Sequence, residues 1–438
     1  DVVEQKIEVL EKELKQSGGT FYPKRFFSEH IEMFLVAAIL VLGIRSFFIQ
    51  PFMIPTNSMY PTYSGMNHEI HTEETQPSGA GRIFRLITQG ASYYNLKTMT
   101  SGDLQLPVIL ALDDNNKIQA MLNWQFKYNP KVIPARKWLI FPSKKWEYMF
   151  IIGSQELKMA VPREFSLEKT IHKTFYPEHN SLSDGLISTL DNHTYQSLRR
   201  DLRKTRYIQR TMLLKKDVKA GESIMNFSIL SGDALFVDRF TYNFRKPQVG
   251  EPFVFRTANI HGIKYRSHKV QIGESINLIA DHSNMTVSEL RNLNNLKPDQ
   301  KLMIGQFLRV RSSEIGKYYI KRLVGKAGDE LEIKGKALYS NGKVITGADA
   351  FEKNATLSDG YLGYESINRL AAGKKLKIAD KSYFAMGDNS PHSYDSRSWS
   401  YEEADPQTEP WGFVPEKEVI GKALFIYYPF TKRWGLGK

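Results

Sequence analysis

The feature that most limits what this chain can fold into is an apolar run near its N-terminus. Met33–Ile44 reads MFLVAAILVLGI without a charge, and after Arg45 the chain continues as SFFIQPFMIP. Twelve uncharged residues are fewer than the roughly 20 that cover a bilayer core. Counted from Phe26 to Phe48, however, the stretch is long enough to span, with Glu29 and Glu32 near one set of head groups and Arg45 snorkelling to the other. Residues 26–50 therefore read as a membrane anchor helix, with a buried core helix as the alternative. A cleavable export signal fits less well, because no small-residue cleavage site follows. Lys24 and Arg25 favour an N-terminus on the inner side. Residues 2–15 have the spacing of a short amphipathic helix, stopped by Ser17-Gly18-Gly19, and 1–25 reads as a cytoplasmic or linker segment.

The 438 residues exceed one average domain and predict two to four units. Lys and Arg outnumber Asp and Glu by 60 to 47, a net charge of +13, which suits an anionic neighbour such as acidic lipid, an acidic polymer or nucleic acid. The basic run Arg199–Arg210 lacks the partner helix and turn of a DNA reader, so no nucleic-acid partner is expected. The chain has no cysteine, which excludes disulfides, thiolate zinc sites and a cysteine nucleophile together. Any nucleophile must carry oxygen.

Residues 64–230 give mixed signals: VIL and LNWQFKY read as strands, and NHTYQSLRRDLRKTRYIQRTMLL as a basic helix, with no catalytic pattern among them. His68-Glu69-Ile70-His71 lacks a third ligand at recognisable spacing and reads as a surface loop, so no metal is expected. From Asp233 onward short strands recur between turn residues (ALFVDRFTYNF, EPFVFR, KYYIKRLVG, DELEIKG, KALYSNGK), a mainly β pattern. It is interrupted at His268–Val310 by two short helical patterns between the strands HKVQI and QFLRV, a small βααβ module.

Three separated segments are unusual for ordinary packing. In IPTNSMYPT, Pro55 and Pro61 hold an extended backbone around Ser58, directly after the apolar run. In YYIKRLVGKAGD, alternation puts Tyr319 and Lys321 on one strand face and Ile320 and Arg322 on the other. MGDNSPHSYDSR is a turn-rich loop dense in Asp, Asn, Ser and Arg. Each alone is bland. In this order, and with SGDALFVDRFTYNFRKPQVGEPFVFR and WGFVPEKEVIGKALFIYYP in the intervals, they resemble the signature boxes of bacterial type I signal peptidases over about half of the chain.

The resemblance implies a Ser/Lys endopeptidase with a β catalytic domain assembled from 51–63, 231–265 and 312–438, and an insert of unknown role at 64–230. It implies Ser58 as nucleophile, Lys321 as general base, Ser393 orienting the lysine amine, and the Ser58 N–H with the Thr56 hydroxyl as oxyanion donors. Thr56 stands where serine is more usual. Asn57 replaces the common glycine, a change expected to be tolerated because Asn reaches φ > 0 more readily than most residues. Ala327 replaces the usual proline. A lysine acts as base only when neutral, so its pKa has to be lowered by burial. The resemblance further assigns Ile54, Pro55, Met59, Tyr319 and Ile320 to shallow pockets for small side chains, and the pairs Arg322–Asp388 and Asp395–Arg397 to holding the loop. The implied partners are signal peptides of exported preproteins and membrane lipid, with no cofactor. The implied location is the bacterial inner membrane, with the catalytic domain on the exported side.

Residues 266–311 resemble a LysM domain, on the GES turn, the IA helix, TVSELRNLN and the closing GQFLRV. That resemblance implies a glycan groove at Gly273, Glu274, Ser275, Ile276, Leu296, Lys297, Pro298 and Ile304, and peptidoglycan as a further partner. Two rivals remain. A Ser/His/Asp reading would need His392 and Asp395 to work with a separate serine, and none is placed for them. The other is a catalytically inactive, membrane-tethered peptidoglycan-binding protein, which cleavage of a leader peptide would separate from the enzyme.

Overall fold

The computed structural model describes residues 2–17, 26–113, 116–122, 129–137, 141–205, 207–260, 262–263, 265–270, 274–303, 305–312, 316–399 and 412–436. Val2–Ser17 and Phe26–Phe47 are helices. The second covers most of 26–50 and is, by length and composition, long and apolar enough to cross a membrane. Its best window, His30–Phe47, has a mean hydropathy of 1.8 and none of it is buried.

After this helix the chain enters an eight-stranded antiparallel sheet at the strand Ile49–Met53. That strand pairs with Ala234–Asp238, and the order continues through Val419–Tyr428, Pro252–Arg256, Tyr318–Lys326 and Ser382–Met386. Alternation along these strands feeds separate cores. Phe253, Phe255 and Leu323 pack with Trp399, while Ile54, Met59, Val237 and Val254 form a second cluster. A four-stranded sheet with the helix Asp349–Thr356 shares a third core with Val324, Phe384 and Met386. That helix interrupts a region whose sequence reads almost wholly as strand.

Residues 64–230 carry a core of their own, in which Leu104, Leu106, Val108 and Leu110 of one strand pack with Phe150, Ile171 and Leu186. VIL lies in the strand Gly102–Leu112 as expected, whereas most of LNWQFKY lies outside the described residues. Two expectations fail in this region. The basic helix is Asn192–Thr205 only, and YIQRTMLL belongs to the strand Tyr207–Val218, which pairs along Gly102–Leu112. Met212 and Leu214 are buried on either side of half-buried Leu213, and pairing along the sheet edge overrides the helical pattern. His68 to Ile70 form a strand and not a loop. His71 is buried with its Nε2 2.7 Å from Ser228 Oγ, and no group of three metal-ligating side chains occurs among the described residues.

The module at 265–311 has the expected βααβ order: Tyr265–Lys269 pairs antiparallel with Phe307–Arg311 around the helices Ile276–His282 and Val287–Leu293. Thr286 and Glu289 form a reciprocal capping box at the second helix, which satisfies two backbone donors. Its core is small, built on Ile279, Leu290, Leu308 and Val310. The strands on either side of the module, Pro252–Arg256 and Tyr318–Lys326, pair in register with Phe253 opposite Lys321, so the module leaves and re-enters the sheet between neighbours.

Candidate active site

Ser58 sits in a single 3₁₀ turn, Asn57–Met59, that follows the strand Ile49–Met53 of the eight-stranded sheet. The turn is clamped on both sides. Asn57 Oδ1 accepts from Gly65 N at 2.8 Å; Asn389 donates from its backbone N to Ser58 O and from Nδ2 to Asn57 O, both at 3.0 Å. Asn57 therefore does not use the positive-φ freedom expected of it, since it is helical and absent from the positive-φ residues described. Its value is the side-chain acceptor. Gly387 backs the turn, and a Cβ there would stand 2.4 Å from Ser58 O and 2.2 Å from Ser393 Oγ, so only glycine lets the loop approach so closely.

Lys321 Nζ donates to Ser58 Oγ at 2.6 Å, and both residues are buried, at 4% and 8% exposed. Burial pushes the Lys321 amine down to about 8, against the fields of Asp395 and Asp388, which act to raise it. On the opposite strand face, Arg322 makes a fork to Asp388, Nε to Oδ1 at 2.7 Å and Nη2 to Oδ2 at 2.6 Å, and donates Nη1 to Gly250 O. Burial acts to lower the Arg322 pKa, but the charge and hydrogen bonds of Asp388 outweigh it and hold the guanidinium above its ordinary value. Arg397 makes a second fork to Asp395, Nε at 2.9 Å and Nη2 at 2.8 Å, while Asp395 Oδ2 also accepts from Gly387 N. Both ion pairs expected from the sequence are present and fully enclosed.

Ser393 is buried beside this cluster, but its hydroxyl has no hydrogen-bond partner. The expected bond to the lysine amine is not made; Lys321 Nζ donates to Ser58 Oγ. A groove of about 280 Å³ opens over the pair. Ile54, Pro55, Tyr319 and Ile320 line it as expected, and Thr56, expected as an oxyanion donor, lines it too. Thr56 is exposed and its side chain makes no capping bond to the turn that follows. Met59 is the exception, fully buried in the core with Tyr63 and Val254, so it supports the turn from behind and does not face the groove. Phe52, Met53, Tyr318, His392 and Tyr394 also line the groove and were not expected. Phe52 and Tyr318 meet edge to face across it, 5.1 Å between centroids. Their neighbours in sequence, Ile54 and Tyr319, were the available signal, since a groove at a strand end admits side chains from both faces.

In the βααβ module, the Glu274 carboxylate is buried against His268 Nε2 at 2.8 Å and Ser275 Oγ caps a helix by accepting from Leu278 N. Ile276 and Leu296 pack partly on the small core, while Lys297 and Pro298 are exposed. Gly273 and Ile304 lie outside the described residues.

A turn that presents a buried serine, a buried amine with a lowered pKa beside it and an adjoining groove are the arrangement a serine hydrolase uses. The family model described as signal peptidase, peptidase S26, matches residues 205–428, slightly more than half of the chain, and the chain belongs to that family. Lys321 and Ser393 fall within the match and Ser58 precedes it. Among similar proteins are a signal peptidase I of Bacillus licheniformis, 30% identical over 30% of this chain and 63% of that protein, and one of Pseudomonas aeruginosa, 32% identical over 25% and 43%. A probable signal peptidase I-1 of Synechocystis is 24% identical over 47% of this chain and 66% of its own. The matches span 43% to 66% of the length of these relatives. A solved signal peptidase I of Enterococcus faecalis matches 25% of this chain and 84% of its own at 25% identity, with a TM-score of 0.18.

Proposed function

We propose that this chain is a membrane-anchored endopeptidase that removes N-terminal signal peptides from exported preproteins, cutting after small residues. The observation that carries the reading is the 2.6 Å contact between Ser58 Oγ and a Lys321 amine whose burial lowers its pKa to about 8. The neutral amine takes the Ser58 proton as Oγ attacks the scissile carbonyl, and the Ser58 N–H with the Thr56 hydroxyl receives the developing oxyanion. The protonated lysine then delivers its proton to the leaving amine, and water attacks the acyl-enzyme with the same lysine as base. Ser393, with an uncommitted hydroxyl beside the loop, is the group available to hold the amine once Ser58 is acylated. Branched and aromatic walls at Ile54, Ile320 and Tyr319 restrict the groove to small side chains.

In this reading 26–50 anchors the enzyme in the bacterial inner membrane, with the site on the exported side and lipid as a partner. Segments 51–63, 231–265 and 312–438 form the catalytic domain, 64–230 is an accessory insert, and 266–311 is a LysM-type module that holds peptidoglycan. Purified enzyme in detergent should cleave a leader peptide, and Ser58→Ala or Lys321→Ala should each abolish turnover without loss of fold. Lys321→Arg should fail too, because a guanidinium keeps its proton at any usable pH. Near-normal turnover in any of the three would refute the dyad.

A further inference from the structure

The helix Gly79–Gln89, in the insert, has its polarity turned inside out. Its two arginines are engaged on the protein side: Arg82, itself still exposed, lies over the Tyr93 ring at 3.8 Å, and Arg85 pairs with Glu69 and donates Nε to Gln89 Oε1 at 3.0 Å. Its apolar positions Ile83, Phe84 and Ile87, spaced three and four apart on one face, are 62%, 65% and 63% exposed. A free amphipathic helix on a soluble domain buries the opposite face.

The helix is tied to the eight-stranded sheet at the Met53 end of the strand Ile49–Met53, the end away from the apolar N-terminal helix. Tyr428 Oη donates to Leu86 O at 2.8 Å, and Phe430 N donates to Thr88 O at 2.9 Å. Tyr428 pairs with Ala234, and Ala234 with Met53 at the end of the five-residue strand that follows the apolar helix. Two strand spacings and five residues put this contact on the order of 20 Å from the end of the apolar helix. Exposed apolar residues continue along the way, at Ile49, Met53 and Phe430.

We propose that Gly79–Gln89 is a second membrane contact, lying in the plane of the bilayer surface with Ile83, Phe84 and Ile87 among the acyl chains and the insert held down beside the site. The occupant is a lipid surface because the exposed apolar residues run on from a helix of membrane-spanning length. An in-plane helix with one apolar face enters only the outer part of the hydrocarbon, about 5–10 Å deep. The proposal rests on the membrane anchoring given above.

The chain has no cysteine, so single cysteines report cleanly. Full-length Phe84→Cys, Ile87→Cys, Phe34→Cys and Lys158→Cys, each carrying an environment-sensitive fluorophore, are reconstituted into vesicles of phosphatidylethanolamine and phosphatidylglycerol with and without a lipid-borne quencher. The expected result is a blue shift and loss of most emission at 84, 87 and 34, with neither at 158. Water-like emission at 84 and 87 with quenching at 34 overturns the second contact and leaves the anchor standing. No quenching at 34 refutes the anchor itself. A blue shift at 84 that grows with protein density and ignores the lipid quencher assigns the face to a second copy of this chain and overturns the proposal as well.

Discussion

Lys321 and Arg322 are consecutive on one strand, both buried and both basic, yet the two faces treat their charges in opposite ways. Arg322 meets a carboxylate fork, and its charge is kept. Lys321 has no carboxylate in contact, only the fields of Asp395 and Asp388, and burial lowers its pKa to about 8. The difference teaches that a buried cation is a structural rivet when paired and a titratable base when left with a neutral hydroxyl. A strand supplies both within two residues because alternate side chains enter separate environments.

The comparison breaks most severely at Asp388→Asn, which leaves the Arg322 guanidinium buried without its counter-charge. Loss of one partner of an enclosed pair costs about 3–5 kcal/mol, read as a fall in denaturation midpoint, and cleavage should be lost as the loop under Ser393 loosens. An unchanged midpoint would mean that the pair is not holding the loop.

Lys321→Met tests the other face, with the opposite sign. The folded amine binds its proton less tightly than the ordinary lysine value of 10.5, so the ammonium carries a burial cost of roughly 3 kcal/mol wherever both states are protonated. That cost is full below pH 8 and fades as pH rises towards 10.5, where the folded amine is neutral. The variant should therefore be inactive and more stable than the parent by about 1–3 kcal/mol at pH 7, with the gain shrinking through pH 8–10.5 in a series of melts. The same titration should appear in the parent enzyme as a rise of kcat/KM with pH to a plateau, with an apparent pKa near 8. A flat profile from pH 6 to 10 would argue against a titrating lysine base.

The smallest stability effect should come from Ser393→Ala. Its hydroxyl is buried without a partner, so truncation removes an unsatisfied group and should move stability by less than about 1 kcal/mol. Turnover should fall nonetheless if the hydroxyl holds the lysine amine once Ser58 is acylated, and burst kinetics would locate the loss in deacylation. A large destabilisation would reveal an interaction that the free enzyme makes after all.

Much of the site could be read before folding because its chemistry is local. Two prolines around Ser58, period-two alternation at Tyr318–Lys326 and charges two residues apart in the loop each constrain a short segment, and the same holds for the apolar length of Phe26–Phe47 and the caps of the βααβ module. The paired identities of Asp388 with Arg322 and Asp395 with Arg397 were legible through the family resemblance. Asn57 was not: its acceptor role needs Gly65, eight residues on, to fold back against it. Met59 stands one residue from Ser58 and still points into the core. YIQRTMLL changed from helix to strand because the edge of Gly102–Leu112 was waiting for it. Sequence by itself determined which residues carry reactive oxygen, amine and charge, and that stretches such as Phe26–Phe47 and Tyr318–Lys326 are helix and strand, since those depend on residue type and neighbours a few positions away. Only the tertiary structure decided that Ser58 and Lys321, 263 positions apart, would share a hydrogen bond, that the lysine would lose its water and the arginine keep its partner, and that one helix of the insert would turn its apolar face outward, because burial is a property of what the rest of the chain brings alongside.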